Sequence, residues 1–240
     1  MNEFLIIASL FIYFGLAVLS YKLLGRVGIY CFTVFASIAA NIEVLILVNA
    51  FSMDMTLGNV LFATTFTCTE ILSEMEGKEH AKRAVWIGIA SSSVFMLLTQ
   101  SWFWYTPASG DTVSEAMRTV FANSPRVIFS SLVVYGICQM VQVSIYSLVW
   151  KLQNHSQKGL WIRSNIATLI AQIVNTALFT IFAFWGIYNA STIGDIIITS
   201  YAIFIVTSLW DTPVLYFARK TCQKNGILLP KTIAEQQSTN

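Results

Sequence analysis

Polar residues recur along three otherwise apolar stretches at one spacing, 0, 4, 8, 11 and 15. The first set is Asn59, Ala63, Thr67, Glu70 and Glu74; the second is Ser131, Tyr135, Gln139, Gln142 and Tyr146; the third is Ser164, Thr168, Gln172, Asn175 and Phe179. At 100° per residue each set stays within about 80° of arc, so it forms a narrow stripe along a helix. Hydrocarbon can neither hydrogen-bond an amide nor solvate a carboxylate, so these faces must look into protein or a wet cavity. Three such stripes predict a bundle with a polar interior able to bind a ligand.

Apolar runs near 20 residues predict seven transmembrane helices, at 4–21, 27–50, 55–73, 84–105, 127–150, 162–188 and 193–217. The third run, with Thr64, Thr65, Thr67, Thr69 and Glu70, is polar enough to be re-entrant or cavity-lining, which would leave six spans. Charge favours seven. Lys22, Arg26, Lys78, Lys82, Arg83, Lys151, Lys158, Arg163, Arg219, Lys220, Lys224 and Lys231 then share one side, twelve of the fourteen basic residues, with Arg118 and Arg126 opposite. The excess of basic residues on the cytoplasmic side orients the N-terminus outside and the C-terminus in the cytoplasm. The tryptophans agree, with Trp102 and Trp104 at the outer end of the fourth run and Trp86, Trp150 and Trp161 at inner ends.

Composition enters as support: 56% hydrophobic residues, 11% charged and a mean hydropathy of +0.67 exclude a soluble domain of 240 residues. The expected fold class is therefore all-α, a polytopic bundle forming one integral membrane domain over 1–240, with a short, flexible cytoplasmic tail at 219–240. The first run lacks a basic leader and a small-residue cleavage pattern, so it reads as a span rather than a signal peptide. A net charge of +2 gives no ground for a nucleic-acid partner, and the lipid bilayer is the expected surrounding. Cys31, Cys68 and Cys138 fall inside spans with no paired spacing and read as small buried apolar residues.

An enzyme is not expected. His80 and His155 both fall in loops, no HExxH or GxSxG occurs, and Glu70 with Glu74 lacks a nucleophile or metal partner. Glu70, a turn inside the predicted boundary, is the position where an unpaired carboxylate is costliest and a functional role is the default. Glu76 and Glu79 read as a solvated turn. Glu43 and Asp211 are exposed to the same argument as Glu70, although Glu43 points about 200° away from Asn41. Arg163 has two readings, a topogenic charge snorkelling to the interface or a partner for Glu70 or Glu74. Arg126, after Pro125, has the bland reading of a helix start at the outer interface.

The stretch Glu70-Ile-Leu-Ser-Glu74-Met-Glu76-Gly77-Lys78, followed by Ala81-Lys82-Arg83, resembles the acidic-x-x-x-Glu-x-x-Gly-Lys…Ala-x-Arg signature of the queuosine precursor transporters, also called the vitamin uptake transporter family. Arg126 with Ser130, Ser131, Gln139 and Gln142, and Trp161-Ile-Arg163-Ser164-Asn165 leading to Thr168, Gln172, Asn175, Thr176 and Phe179, resemble the same family in the same order. Asn41 matches an asparagine near the start of the shared region, which runs over about 37–185. Family members usually carry Asp at positions 70, 142 and 175; Glu70 keeps the charge, whereas Gln142 and Asn175 keep only hydrogen bonding. The family core usually has six spans, and the first run lies outside it.

The resemblance implies a cell-membrane carrier importing a 7-deazaguanine base, such as 7-cyano-7-deazaguanine, its aminomethyl form or queuine, for tRNA queuosine modification. It implies substrate contact for Glu70, Glu74, Asn41, Gln139, Gln142, Arg163, Gln172 and Asn175. A guanine-like edge offers N–H donors to a carboxylate and an O6 acceptor to an amide, and Tyr135 or Tyr146 could stack on the ring. No cofactor is expected. Two alternatives stay open: a substrate-binding subunit for another vitamin or nucleobase working with a separate energising module, and a seven-span sensor or assembly protein whose stripes only hold helices together. Homo-oligomerisation and the energy source do not follow from the residues; a proton-coupled mechanism rests on Glu70.

Overall fold

The computed structural model describes residues 1–43, 46–50, 53–121, 125–154, 158–186 and 189–224. The chain runs α1 (Asn2–Glu43), β1 (Leu47–Ala50), β2 (Met53–Thr56), α2 (Gly58–Met75), α3 (Lys78–Trp102), α4 (Ser114–Phe121), α5 (Pro125–Leu152), α6 (Leu160–Phe184) and α7 (Ala190–Lys224). The architecture is a helical bundle with one short hairpin.

At 42 residues α1 would stretch about 63 Å, twice the hydrocarbon thickness of a bilayer, were it straight. It is not straight. Gly25, at φ 58 and ψ −144, breaks it where only glycine is at ease, and the Tyr13 hydroxyl reaches Oε1 of Glu43 at 3.4 Å. Thirty residues of straight helix would hold those two about 45 Å apart, so the halves 2–24 and 26–43 fold back on each other as an antiparallel pair. Gly28 makes the turn passable, since a side chain there would start 2.0 Å from the Ser20 carbonyl oxygen. The division falls where the first two predicted spans divide.

Among the described residues, four helices are long and apolar enough to cross a membrane: α1, α3, the 129–152 part of α5 and the 160–183 part of α6. Their outward positions are apolar, including Phe35, Leu97, Phe129 and Ile173, while Gln139, Gln142 and Arg163 are buried. That inside-out distribution is the one a bilayer imposes. α2 answers the question raised by its threonines. It is buried along almost its whole length, packed on α1, α3, α5 and α7, so it spends its polarity on neighbouring helices and presents little surface to lipid.

Several boundaries differ from the sequence reading. The second run was expected to stay helical to Ala50 and the third to begin at Met55, yet the helix stops at Glu43, and β1 and β2 pair antiparallel with Leu47 opposite Thr56 and Ala50 opposite Met53. A short apolar run has no periodicity to separate strand from helix, and length alone had extended the spans. The loop at 106–126 contains α4, started by Asp111, whose carboxylate accepts from the backbone N–H groups of Val113 and Ser114 and from the Ser114 hydroxyl. Those hydrogen bonds, the Ser114 hydroxyl foremost, hold the Asp111 carboxyl below the usual carboxylate range. α7 continues to Lys224, past the expected span end; 225–240 lies outside the described residues, as does His155. Cys68 and Cys138 are buried as expected, but Cys31 is exposed on the bundle surface.

Gly77, at φ 93, turns the chain from α2 into α3, and its N–H closes α2 on the Leu72 carbonyl at 2.8 Å. The Gly-Lys element of the recognised signature is thus the hinge that returns the chain just beyond Glu74.

Candidate functional site

The three stripes meet because of helix direction. α2 and α5 run parallel, so equal offsets face each other, Glu70 with Gln142 and Glu74 with Tyr146, while Gln139 meets Thr65, which lies off the α2 stripe. α6 runs antiparallel to both, so its first stripe positions meet their last ones, and Ser164 and Thr168 arrive at Glu70. Equal spacing on three helices therefore builds one layered polar seam.

Glu70 is 1% exposed, and its hydrogen-bond partners among the described residues are uncharged. Oε1 accepts from Thr168 Oγ1 at 2.6 Å and Gln142 Nε2 at 2.8 Å, and Oε2 from Ser164 Oγ at 2.7 Å. Gln142 Nε2 also reaches Thr168 Oγ1 at 3.1 Å, closing a triangle of amide, hydroxyl and carboxylate. One layer further on, Thr69 Oγ1 lies 3.0 Å from Gln142 Oε1 and 3.1 Å from Gln139 Oε1, and Gln139 Nε2 donates to Thr65 at 2.8 Å.

One turn along α2, Glu74 has a different company. The Arg163 side chain, 0% exposed, donates from Nη2 to both carboxylate oxygens at 2.7 and 2.8 Å and from Nε at 3.1 Å. Tyr146 adds its hydroxyl at 2.7 Å, and Arg219 of α7 brings a second guanidinium to 3.6 Å. Arg163 Nη1 donates to Gln153 Oε1 and the Lys158 carbonyl, each at 3.2 Å, and the guanidinium lies 5.1 Å from the Trp150 ring centroid. Bidentate pairing, an aromatic wall and a partner for each nitrogen are the conditions under which a buried ion pair is tolerated. Of the two readings for Arg163, the geometry selects pairing with Glu74.

The other candidates are dispersed. Gln172 is buried and accepts from Asn175 Nδ2 at 3.3 Å, one to two turns beyond Thr168 on α6. Asn41 joins α1 to α3 and α5, donating to Ser92 at 3.3 Å and accepting from Ser131 at 3.4 Å. Ser131 precedes Gln142 by eleven residues of α5, about 16 Å of rise, so Asn41 sits at another level of the bundle. Tyr135 is buried edge-on to Phe62, 5.8 Å between centroids, with its hydroxyl in the space left by Gly88; that hydroxyl has no partner in hydrogen-bonding geometry. Glu43 pairs with Tyr13, apart from Asn41 as its helical angle implied. The side chains of Arg126 and Asp211 lie outside the described residues. Two apolar surface grooves, one along Trp86, Ile89, Gly136 and Met140 and one along Phe129, Ile181 and Trp185, contain none of these candidates.

Residues 56–218 match the model of a family described as "Putative vitamin uptake transporter". The chain belongs to this family. A vitamin uptake transporter of 240 residues with this helical content is a multi-pass integral protein of the cell membrane, and a transporter rather than an enzyme. The chain is also 34% identical over 219 residues to a Bacillus subtilis (strain 168) protein named "Probable queuosine precursor transporter", covering 91% of this chain and 95% of that one. No solved structure matches. The Glu70 and Glu74 seam lies in the part matched by the vitamin uptake transporter model apart from Arg219, one residue beyond it, whereas Asn41 precedes it.

Sequence reasoning left several seam residues of this vitamin uptake transporter without a role. Ser164 and Thr168 stood on a stripe but were not singled out, because a hydroxyl on an apolar helix more often bonds its own backbone. Thr69 counted only toward the polarity of its run, and it is off the α2 stripe. Arg219 counted only as a topogenic charge. Tyr146 was considered for stacking, and the structure gives its hydroxyl to Glu74.

Proposed function

We propose that the protein imports a queuosine precursor, a 7-deazaguanine base, across the cell membrane through seven spans, with its N-terminus outside. The observation that carries the reading is Glu70: a fully buried carboxylate held, among the described residues, by the neutral donors Gln142, Ser164 and Thr168. Such a shell can exchange its hydrogen bonds for those of an uncharged ligand without breaking an ion pair. A guanine-type edge suits it, with N1–H flanked by an acceptor at O6 and a donor at the 2-amine, and Gln142 beside Glu70 offers an amide for the neighbouring position. The name of the Bacillus subtilis relative supports the same substrate class.

On this reading Gln139 and Gln172 flank the substrate position, and Asn175, Asn41 and Tyr135 belong to the approach from the outer end. Glu74 and Arg163 close the inner end. The test uses cells lacking both precursor synthesis and their own importer, supplied with a low concentration of base. The intact chain restores queuosine in tRNA, and Glu70→Ala at matched membrane abundance does not. Failure of the intact, correctly inserted chain would remove the proposal.

A further inference from the structure

We propose that Glu70 is also the proton-coupling group, taking up one proton with each base outside and releasing both inside. The inference rests on the reading of Glu70 as the substrate carboxylate. It comes from the contrast between two buried carboxylates one helical turn apart. The partners of Glu74 include two guanidinium groups, Arg163 and Arg219, which are donors with no acceptor capacity; a proton added to Glu74 would remove the negative charge that both face, and of its partners only the Tyr146 hydroxyl could turn to accept it. Glu70 is surrounded by Ser164, Thr168 and Gln142, and hydroxyls and amides both donate and accept. The same shell can therefore satisfy Glu70 as a carboxylate or as a carboxylic acid. A buried carboxylate without a cation is costly, so binding a proton relieves it when other donors leave to meet a ligand.

The charged and titratable neighbours do not alter this division. Glu74 on α2, Tyr146 on α5, Arg163 on α6 and Arg219 on α7 are joined in the Glu74 cluster. From α1, Tyr21 donates to Glu76 at 2.8 Å, and on α3 His80 lies with Tyr30 and Arg26. Among the described residues, Glu70 is the buried seam carboxylate left with neutral partners.

The step balances as follows. A proton from external water forms an O–H bond on one Glu70 oxygen. That O–H donates to O6 of the base while the other oxygen accepts from N1–H, a closed pair of hydrogen bonds that buries no charge. At the cytoplasmic side the O–H bond breaks to water, the base leaves, and Gln142, Ser164 and Thr168 again donate to the carboxylate. One proton and one base move inward together, and nothing is oxidised or reduced.

The test is the purified intact protein in liposomes, with membrane potential clamped, labelled 7-cyano-7-deazaguanine as probe and a pH dye inside. With the outside one pH unit more acid, base accumulates toward about tenfold, the limit for one proton per base, and each addition of base acidifies the interior. Exchange of labelled for unlabelled base, which needs no net proton movement, is measured in parallel. Exchange without acidification or gradient-driven accumulation overturns the coupling proposal and leaves the transport reading intact. Absence of both exchange and base binding overturns the transport reading, and the coupling proposal with it. Glu70→Gln presents the same donor and acceptor pair as the acid but has no proton that it can release to water in transport; it exchanges base at a reduced rate and loses acidification. Acidification by that variant moves the coupling site elsewhere. Glu70→Asp, which keeps a carboxyl group, retains base-dependent acidification, and an exchanging but uncoupled Asp variant also overturns the assignment.

Discussion

At the scale of single residues, Thr168 is the least conspicuous member of the seam and one of its most connected, since its hydroxyl donates to Glu70 and accepts from Gln142. Thr168→Val keeps the shape and removes both bonds. Losing a hydrogen bond to a charged group in a dry site costs about 1.5–3 kcal/mol, so the initial rate of base uptake at sub-saturating supply should fall about tenfold or more at unchanged membrane abundance. Tyr146→Phe removes one donor from Glu74 and leaves the Arg163 pair. The expected outcome is a lowered melting temperature in detergent, by the few degrees that about 1–2 kcal/mol represents. Asp111 gives a pH prediction outside the membrane. Its folded-state carboxyl is held below its ordinary value, so its contribution to the start of α4 is present at neutral pH and disappears as pH falls through that lowered value. Hydrogen exchange across 113–121 should accelerate, after correction for intrinsic pH dependence, only under strongly acid conditions.

At the scale of elements, α1 is a pair of helices because of one residue. Gly25→Ala places a side chain at φ 58 and ψ −144, a conformation costing about 1–3 kcal/mol for any other residue, although no atom stands in its way. The variant should melt several degrees lower, and an equivalent change at the exposed Gly15, with helical neighbours on both sides, should not. The helices themselves were legible in the sequence wherever a long apolar run met a boundary charge. The polar stripes were legible because a repeated offset survives without knowing the neighbour. The hairpin at 47–56 was not, since Leu47 and Val48 continue the apolar run before them, Asn49 and Asp54 read as an interruption between two spans, and hydropathy does not register strand pairing. α4 was missed because length and mean hydropathy, the measures used to find spans, do not register an amphipathic segment of eight residues.

At the scale of the whole molecule, the basic residues predict the orientation of the bundle, with the C-terminus in the cytoplasm, and the stripes decide its interior. Topology is checked with single cysteines at Ser109 and Lys220 in a chain whose own cysteines are replaced. An impermeant maleimide should label position 109 on intact cells and position 220 only after permeabilisation; the reverse pattern would invert the orientation. Which candidates share a layer was not legible. Asn41, Glu70 and Gln142 carry equal weight as polar residues in spans, yet parallel packing of α2 on α5 joins the last two and leaves Asn41 about 16 Å of helix rise away. The partner of Arg163 was equally open until α6 was placed, because the ambiguity between Glu70 and Glu74 is one turn of helix.

The pairing of Glu74 with Arg163 restricts how this protein can change through descent. Replacing either alone strands a charge in the interior at about 3–5 kcal/mol, enough to unfold a marginal protein, whereas replacing both by matched apolar groups can be close to neutral. A lineage must therefore alter the two positions in concert or not at all. Glu70, whose hydrogen-bond partners are neutral, carries no such paired obligation, and on the proposed reading drift there would be restrained by the cargo rather than by an ion pair.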